Sequence, residues 1–253
     1  MGLRKKLLKF FYIRKYKSKS SLAEVKKKNI LITGANSGIG LALLKKLLTF
    51  ENKVLATYNS NSQNLDKIKS NNFYKIKCDQ RINSDFIELK KRLDNFKIDI
   101  IFNCAGVVGP SFQDQEIEEI NFEDFSEVLS VNALSIVKII QLILKNKNSI
   151  PQLIINISSD AGSLGKNTQG NAYIYRTSKS ALNSITKNMS VDLYKKYKTI
   201  SIAIDPGNVK TNMNPGGYLQ SDDCASSIIN IISSDLNIKN GKFLDLNGNE
   251  IPW

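Results

Sequence analysis

From residue 29 onward the chain alternates two patterns. Short, continuous apolar runs are separated by longer stretches in which apolar residues recur at helical spacing. The runs at 29–33 (NILIT), 53–57, 73–77, 98–103 (IDIIFN), 152–158 (QLIINIS), 199–204 and 242–246 are predicted strands. The stretches at 39–50, 64–70 (weak), 85–96, 122–147, 172–198 and 222–233 are predicted helices. Strands that are apolar throughout, rather than at every second position, belong to a parallel sheet covered on both faces. The pattern therefore predicts one doubly wound α/β domain with a seven-stranded parallel sheet, over residues 29–253. No internal repeat and no second domain is visible. The Gly-, Pro- and Asn-rich stretch 205–217 is the kind of irregular loop that lines a site.

Composition changes the picture in three ways. First, none of the 253 residues is histidine, which excludes a Ser-His-Asp or Cys-His centre, an imidazole base and any His-ligated metal. Second, Cys78, Cys104 and Cys224 lie far apart with no C-x-x-C pair. Neither a disulfide scaffold nor a zinc cage is expected, and a reducing, cytoplasmic setting is the simplest reading. Third, the net charge of +13 is local. Residues 1–28 hold eleven basic residues and one acid, Glu24, leaving only +3 for the remainder. This excludes a nucleic-acid role for the domain as a whole. The segment 1–28 reads either as a disordered, solvated extension or as a peripheral membrane contact. Leu3, Leu7, Phe10 and Phe11 share a helical side opposite several lysines, although Arg14 interrupts the stripe. Lys9 breaks the pattern of a secretory signal, Lys6 stands where a myristoylation motif needs Ser or Thr, and no apolar run is expected to span a bilayer.

Candidate chemistry sits between these elements. Thr33-Gly34-Ala35-Asn36-Ser37-Gly38-Ile39-Gly40 joins a predicted strand to a predicted helix. Glycines there let the backbone turn and approach a pyrophosphate, and the helix start offers free N–H groups. The spacing is G-x-x-x-G-x-G, and a plain structural turn is the alternative. Tyr175 and Lys179 stand one helical turn apart, where an ammonium is expected to favour the phenolate and lower the tyrosine pKa. A chain this rich in lysine also produces such pairs by chance; Tyr194 and Lys198 are one, read as a solvated face.

Order along the chain separates these readings. The Gly-rich loop is followed by Asn103-Cys104-Ala105-Gly106, Asn132, Ser158-Ser159, Tyr175/Lys179 and Asp205-Pro206-Gly207. As a set these resemble the short-chain dehydrogenase/reductase family, over 29–253. Ser158–Leu164 running into Tyr173–Asn183, and the terminal Gly241–Trp253, resemble more narrowly its C-factor/sniffer-type carbonyl-reductase branch. The resemblance implies a Rossmann-type fold, a nicotinamide cofactor and a small carbonyl or alcohol substrate. It implies Tyr175 as proton donor, Lys179 lowering its pKa and holding the cofactor ribose, Ser159 orienting the carbonyl, and Asn132 on a helix kink anchoring a relay water. Strand alternation lets only one of Ser158 and Ser159 face the site, and Ser159 is preferred. For the cofactor it implies Gly34, Asn36, Ser37, Gly38, Ile39 and Gly40 at the phosphates and Asp79 at the adenine. Asn103, Ala105 and Gly106 are expected beside the ribose, with Pro206, Gly207, Val209 and Thr211 on the nicotinamide side. No metal is expected.

The end of the second strand, Ala56-Thr57-Tyr58-Asn59-Ser60, lacks the acid that suits NAD and the arginine common in the narrower branch. Tyr58 and Asn59 could still donate to a phosphate, so NADP is expected over NAD. The long helices at 122–147 and 172–198 are compatible with a homodimer or homotetramer. Two other functions stay open: a nucleotide-binding signalling or scaffold protein of C-factor type, and a membrane-surface reductase of lipid-linked intermediates.

Overall fold

A computed structural model describes residues 25–146, 149–233 and 236–253. Seven parallel strands form one sheet: β1 (Asn29–Thr33), β2 (Lys53–Tyr58), β3 (Phe73–Lys77), β4 (Ile100–Asn103), β5 (Leu153–Ile157), β6 (Ile200–Ile204) and β7 (Phe243–Leu244). Their order across the sheet is β3-β2-β1-β4-β5-β6-β7. The doubly wound, Rossmann-type architecture expected from the sequence is the one observed.

The helices are α1 (Gly38–Leu48), α2 (Gln63–Asp66), α3 (Asn83–Leu93), α4 (Phe122–Lys145), α5 (Tyr173–Tyr197) and α6 (Ser221–Ile232). Alternate strand residues feed opposite layers. Ile30 and Ile32 pack with Leu43, Leu44 and Leu47 of α1 and Ile228 of α6. Leu31, Leu55, Ile101 and Ile154 pack with Leu89 of α3, Ile136 and Ile139 of α4 and Leu182 of α5. Burial on both faces is why the strands read as unbroken apolar runs.

Element bounds differ from the pattern in instructive places. The weak helix expected at 64–70 is one turn, Gln63–Asp66. The last strand shrinks to Phe243–Leu244, where Trp253 stacks on Phe243 at 5.6 Å between ring centroids. Residues 25–28 join the fold: Val25 is buried, and the buried Asn52 side chain donates to its carbonyl at 2.9 Å. Residues 1–24, and with them most of the basic extension, lie outside the described residues. Contrary to the sequence reading, α4 is long and apolar enough to cross a membrane by length and composition. Here it serves as a layer helix, with half of its most apolar window buried.

Inside α4, Ser130–Leu134 widens into a π-helical turn. This is the kink expected at Asn132, and such turns recur at functional sites.

Candidate active site

The strand order reverses direction between β1 and β4, and a crevice opens there at the carboxyl ends of the strands. It is a cleft of about 270 Å³. Its floor is the Gly-rich turn. Gly34 has φ +63°, and a Cβ there would lie 2.7 Å from the Ala105 Cα. Gly40 is held closer still, with a Cβ placed 2.4 Å from the Gly34 carbonyl oxygen. These contacts let the turn, α1 and the 105–106 loop meet without side chains between them. Helix α1 opens with no side-chain cap and no acid in its first turn, so its N-terminus favours an anion.

A buried polar chain sets the opposite wall. Thr33 Oγ1 donates to Asn103 Oδ1, Asn103 Nδ2 donates to Asn156 Oδ1, and Asn156 Nδ2 donates to Thr186 Oγ1 on α5. Thr33 Oγ1 also accepts from the N–H groups of Cys104 and Ala105, at 3.1 and 3.0 Å. Asn103 is thus buried behind the cleft and shapes it through the loop that follows. Ala105, Gly106, Asn36, Ser37, Gly38, Ile39, Tyr58, Asn59, Asp79, Pro206 and Thr211 do line it. Gly207 and Val209 do not; Val209 is buried and pairs with Leu219.

Tyr175, Lys179 and Ser159 converge at the inner end. Lys179 Nζ lies 5.8 Å from the Tyr175 ring centroid and donates to the Ile157 carbonyl at 3.0 Å. Ser159 lies close enough to the Tyr175 phenol to influence its acidity, and its Oγ accepts from the Ala161 N–H at 3.1 Å. Ser158 lines the cleft and donates to Asn183 Oδ1 at 2.6 Å, whereas Ser159 is not among the cleft's lining residues and stands beyond Tyr175. Asn132 stands behind Gly106. Its Nδ2 donates to the Val107 carbonyl and to Ser178 Oγ, while its Oδ1 accepts from the Val107 N–H. One amide hydrogen and the amide oxygen hold the 106–107 loop against the π-helical turn, and the other hydrogen ties the turn to Ser178 on α5.

The electrostatics differ from the simple expectation. Burial pushes the Tyr175 phenol up to about 12; Ser159 opposes the rise, and Asp205 and Asp160 add to it. Burial also brings Lys179 down from 10.5 to about 8, because the buried ammonium is withdrawn from water.

Three residues were missed. Arg81 lines the cleft and grips Asp79 through Nε (2.9 Å) and Nη2 (2.7 Å), then reaches Glu127 through Nη1 at 2.7 Å. This holds the Asp79 carboxyl below its ordinary range. Gln80 is buried in the cleft wall with neither side-chain amide atom hydrogen-bonded. Gln115, also fully buried, accepts from the Tyr175 N–H at 2.9 Å and donates to the carbonyls of Val108 and Pro110. Only the D-Q-R triplet itself hinted at Arg81; nothing local marks Gln115.

An uncapped helix start, a side-chain-free turn and an unpartnered buried amide fit a bound dinucleotide. Among the described residues no group of acidic or cysteine side chains could hold a metal ion. The model of the short chain dehydrogenase family matches residues 28–219. The chain belongs to that family. Within it, the chain is 30% identical over 158 residues to the C-signal protein of Myxococcus xanthus, covering 62% of this chain and 93% of that protein. The Drosophila melanogaster carbonyl reductase Sniffer superposes with a TM-score of 0.79 at 28% identity, over 89% of this chain and 99% of that one. An NADPH-bound carbonyl reductase from chicken fatty liver also gives 0.79, at 25% identity, over 92% and 97%. The family is one of oxidoreductases, and the chain shares its fold with the two carbonyl reductases.

Proposed function

We propose that this short-chain dehydrogenase is an NADP(H)-dependent carbonyl reductase, or in reverse an alcohol dehydrogenase. The observation that carries the reading is the meeting of Ser159, Tyr175 and Lys179 where the cleft ends. Gly34, Asn36, Ser37, Gly38, Ile39 and Gly40 would hold the cofactor phosphates, and Pro206 and Thr211 would flank the nicotinamide. The cofactor supplies a hydride to the carbonyl carbon. Ser159 and Tyr175 then orient the carbonyl oxygen, and Tyr175 Oη gives that oxygen its proton. Lys179 would return a proton to the phenolate and would hold the cofactor ribose. Asn132 keeps the loop beside the nicotinamide in place.

NADP is favoured over NAD because no free carboxylate faces the ribose. Tyr58 ends β2 and Asn59 follows it, and the one lining acid, Asp79, is neutralised by Arg81. The NADPH carried by the chicken relative supports the same choice. An apolar groove between α4 and α5, lined by Val137, Ile140, Ile185 and Met189, supports self-association as a dimer or tetramer.

Fluorescence titration of the full chain tests the reading. NADPH is expected to bind at least about tenfold more tightly than NADH, given the charge-assisted hydrogen bonds available to a 2′-phosphate. Gly38→Asp, which sets a carboxylate at the phosphates on a backbone of φ +52°, weakens both by a factor of about ten or more. Failure of the wild-type chain to bind either nucleotide would overturn the assignment.

A further inference from the structure

A second cavity, of about 540 Å³, opens on the far side of Tyr175. Tyr175 is the residue it shares with the dinucleotide cleft, and Ser159 lines it. A carbonyl held by Ser159 and Tyr175 therefore presents the rest of its molecule to this cavity. Its lining includes Phe112, Gln169 and Asn171, with one charged residue, Arg176. Asp160, the acid beside Ser159, is exposed and lies outside the lining.

Arg176 follows Tyr175 on α5 and is half-buried. Its Nε is buried with no hydrogen-bond partner. Nη1 reaches the Ala161 carbonyl only at 3.4 Å. Among the described residues no carboxylate lies within ion-pair distance of it, whereas Arg81 across the cleft is tied to two. A guanidinium N–H withdrawn from water and left unmatched is costly, and an acceptor arriving in the cavity removes that cost. The planar fork of arginine matches a carboxylate with two parallel hydrogen bonds. The cavity on the opposite flank, beside Gly106 and Met213, has the reverse character: Asp124 and Glu127 line it, with no cation. Glu127 is paired with Arg81, which leaves Asp124 as the acid that disfavours an anion there, while Arg176 attracts one on the other flank.

We propose that the substrate is a carbonyl compound carrying a carboxylate, an oxo acid reduced to the hydroxy acid, with Arg176 as the residue that reads the acid group. This rests on the oxidoreductase reading above and names its substrate class. The hydride and the Tyr175 proton go to the carbonyl carbon and oxygen as before, and the carboxylate takes no part in the bond changes.

The test compares 4-formylbenzoate with its neutral amide, 4-formylbenzamide, on the full chain. Turnover is followed with NADPH, and binding by calorimetry on the NADP-loaded protein. The carboxylate is expected to be favoured at least about tenfold in kcat/KM and in affinity. Arg176→Gln brings that ratio close to one, and Arg176→Lys keeps part of it. Equal handling of acid and amide by the wild-type chain overturns the proposal whatever the variants do, as does a preference that survives Arg176→Gln. A parallel NADPH titration separates the two readings. No NADPH binding removes the reductase assignment itself; NADPH binding with no preference for the acid removes only the role of Arg176.

Discussion

Tyr175→Phe is expected to keep the cofactor cleft and to lose turnover by a factor of about 10²–10⁴, the usual range for removing a positioned proton donor. The ring still fills the wall between the two cavities, so NADPH affinity should change little while kcat falls. The phenol is well suited to donate. Burial and the two nearby aspartates hold it at about 12, so it stays protonated across the neutral range and is ready for reduction. Its own titration should not appear in the pH profile below about 12. The first basic group to titrate is Lys179, at about 8. Below that value the ammonium is present and can resupply the phenol. As the pH rises through it the proton is lost, and the reductive rate is expected to decline. On the acid side Asp205, raised to about 6 chiefly by burial and then by Asp160, loses its charge as the pH falls. A Tyr175→Phe enzyme with near-normal kcat would remove the tyrosine from the mechanism.

Lys179→Met is expected to do two opposite things: to lower turnover by about a hundredfold or more, and to make the fold more stable at pH 7. Lys179 is only 5% exposed and has no acidic partner. Its folded pKa is about 8 against the ordinary 10.5. Between those values the unfolded chain binds the proton and the folded chain does not, so stability rises with pH across that window. Below about 8 the penalty for burying the charge is present in full. Methionine has a similar length and no charge, so it removes the penalty and leaves the Ile157 carbonyl without this donor. The net gain should be about 1–3 kcal/mol at neutral pH, shrinking toward pH 10. Urea unfolding at both pH values measures it. A variant less stable than the wild type at pH 7 would mean that the buried ammonium is well accommodated, and that stability is not what this site gives up for function.

Much of this could be read along the chain because it is local. Continuous apolar runs require burial on both faces, and that requirement sets the parallel sheet. Gly34 and Gly40 are needed where backbone meets backbone. The kink at Asn132 came through resemblance and is present as a π-helical turn. Other features depend on which segments meet. Asn103 carries the motif position but is drawn behind the cleft by Thr33 and Asn156, far from it in sequence. Gln115 holds the N–H of Tyr175 across sixty residues. Arg81 pairs locally with Asp79, two residues away, but its second partner, Glu127, is brought to it only by the packing of α4. Fold class and family could be read from the sequence alone, since periodicity, glycine conformation and motif order are properties of neighbouring residues. The charge state of Lys179, the protonation of Tyr175 and the unmatched guanidinium of Arg176 were decided only by the tertiary structure. Desolvation and ion pairing depend on what surrounds a group in space, and that environment exists only after distant segments have packed.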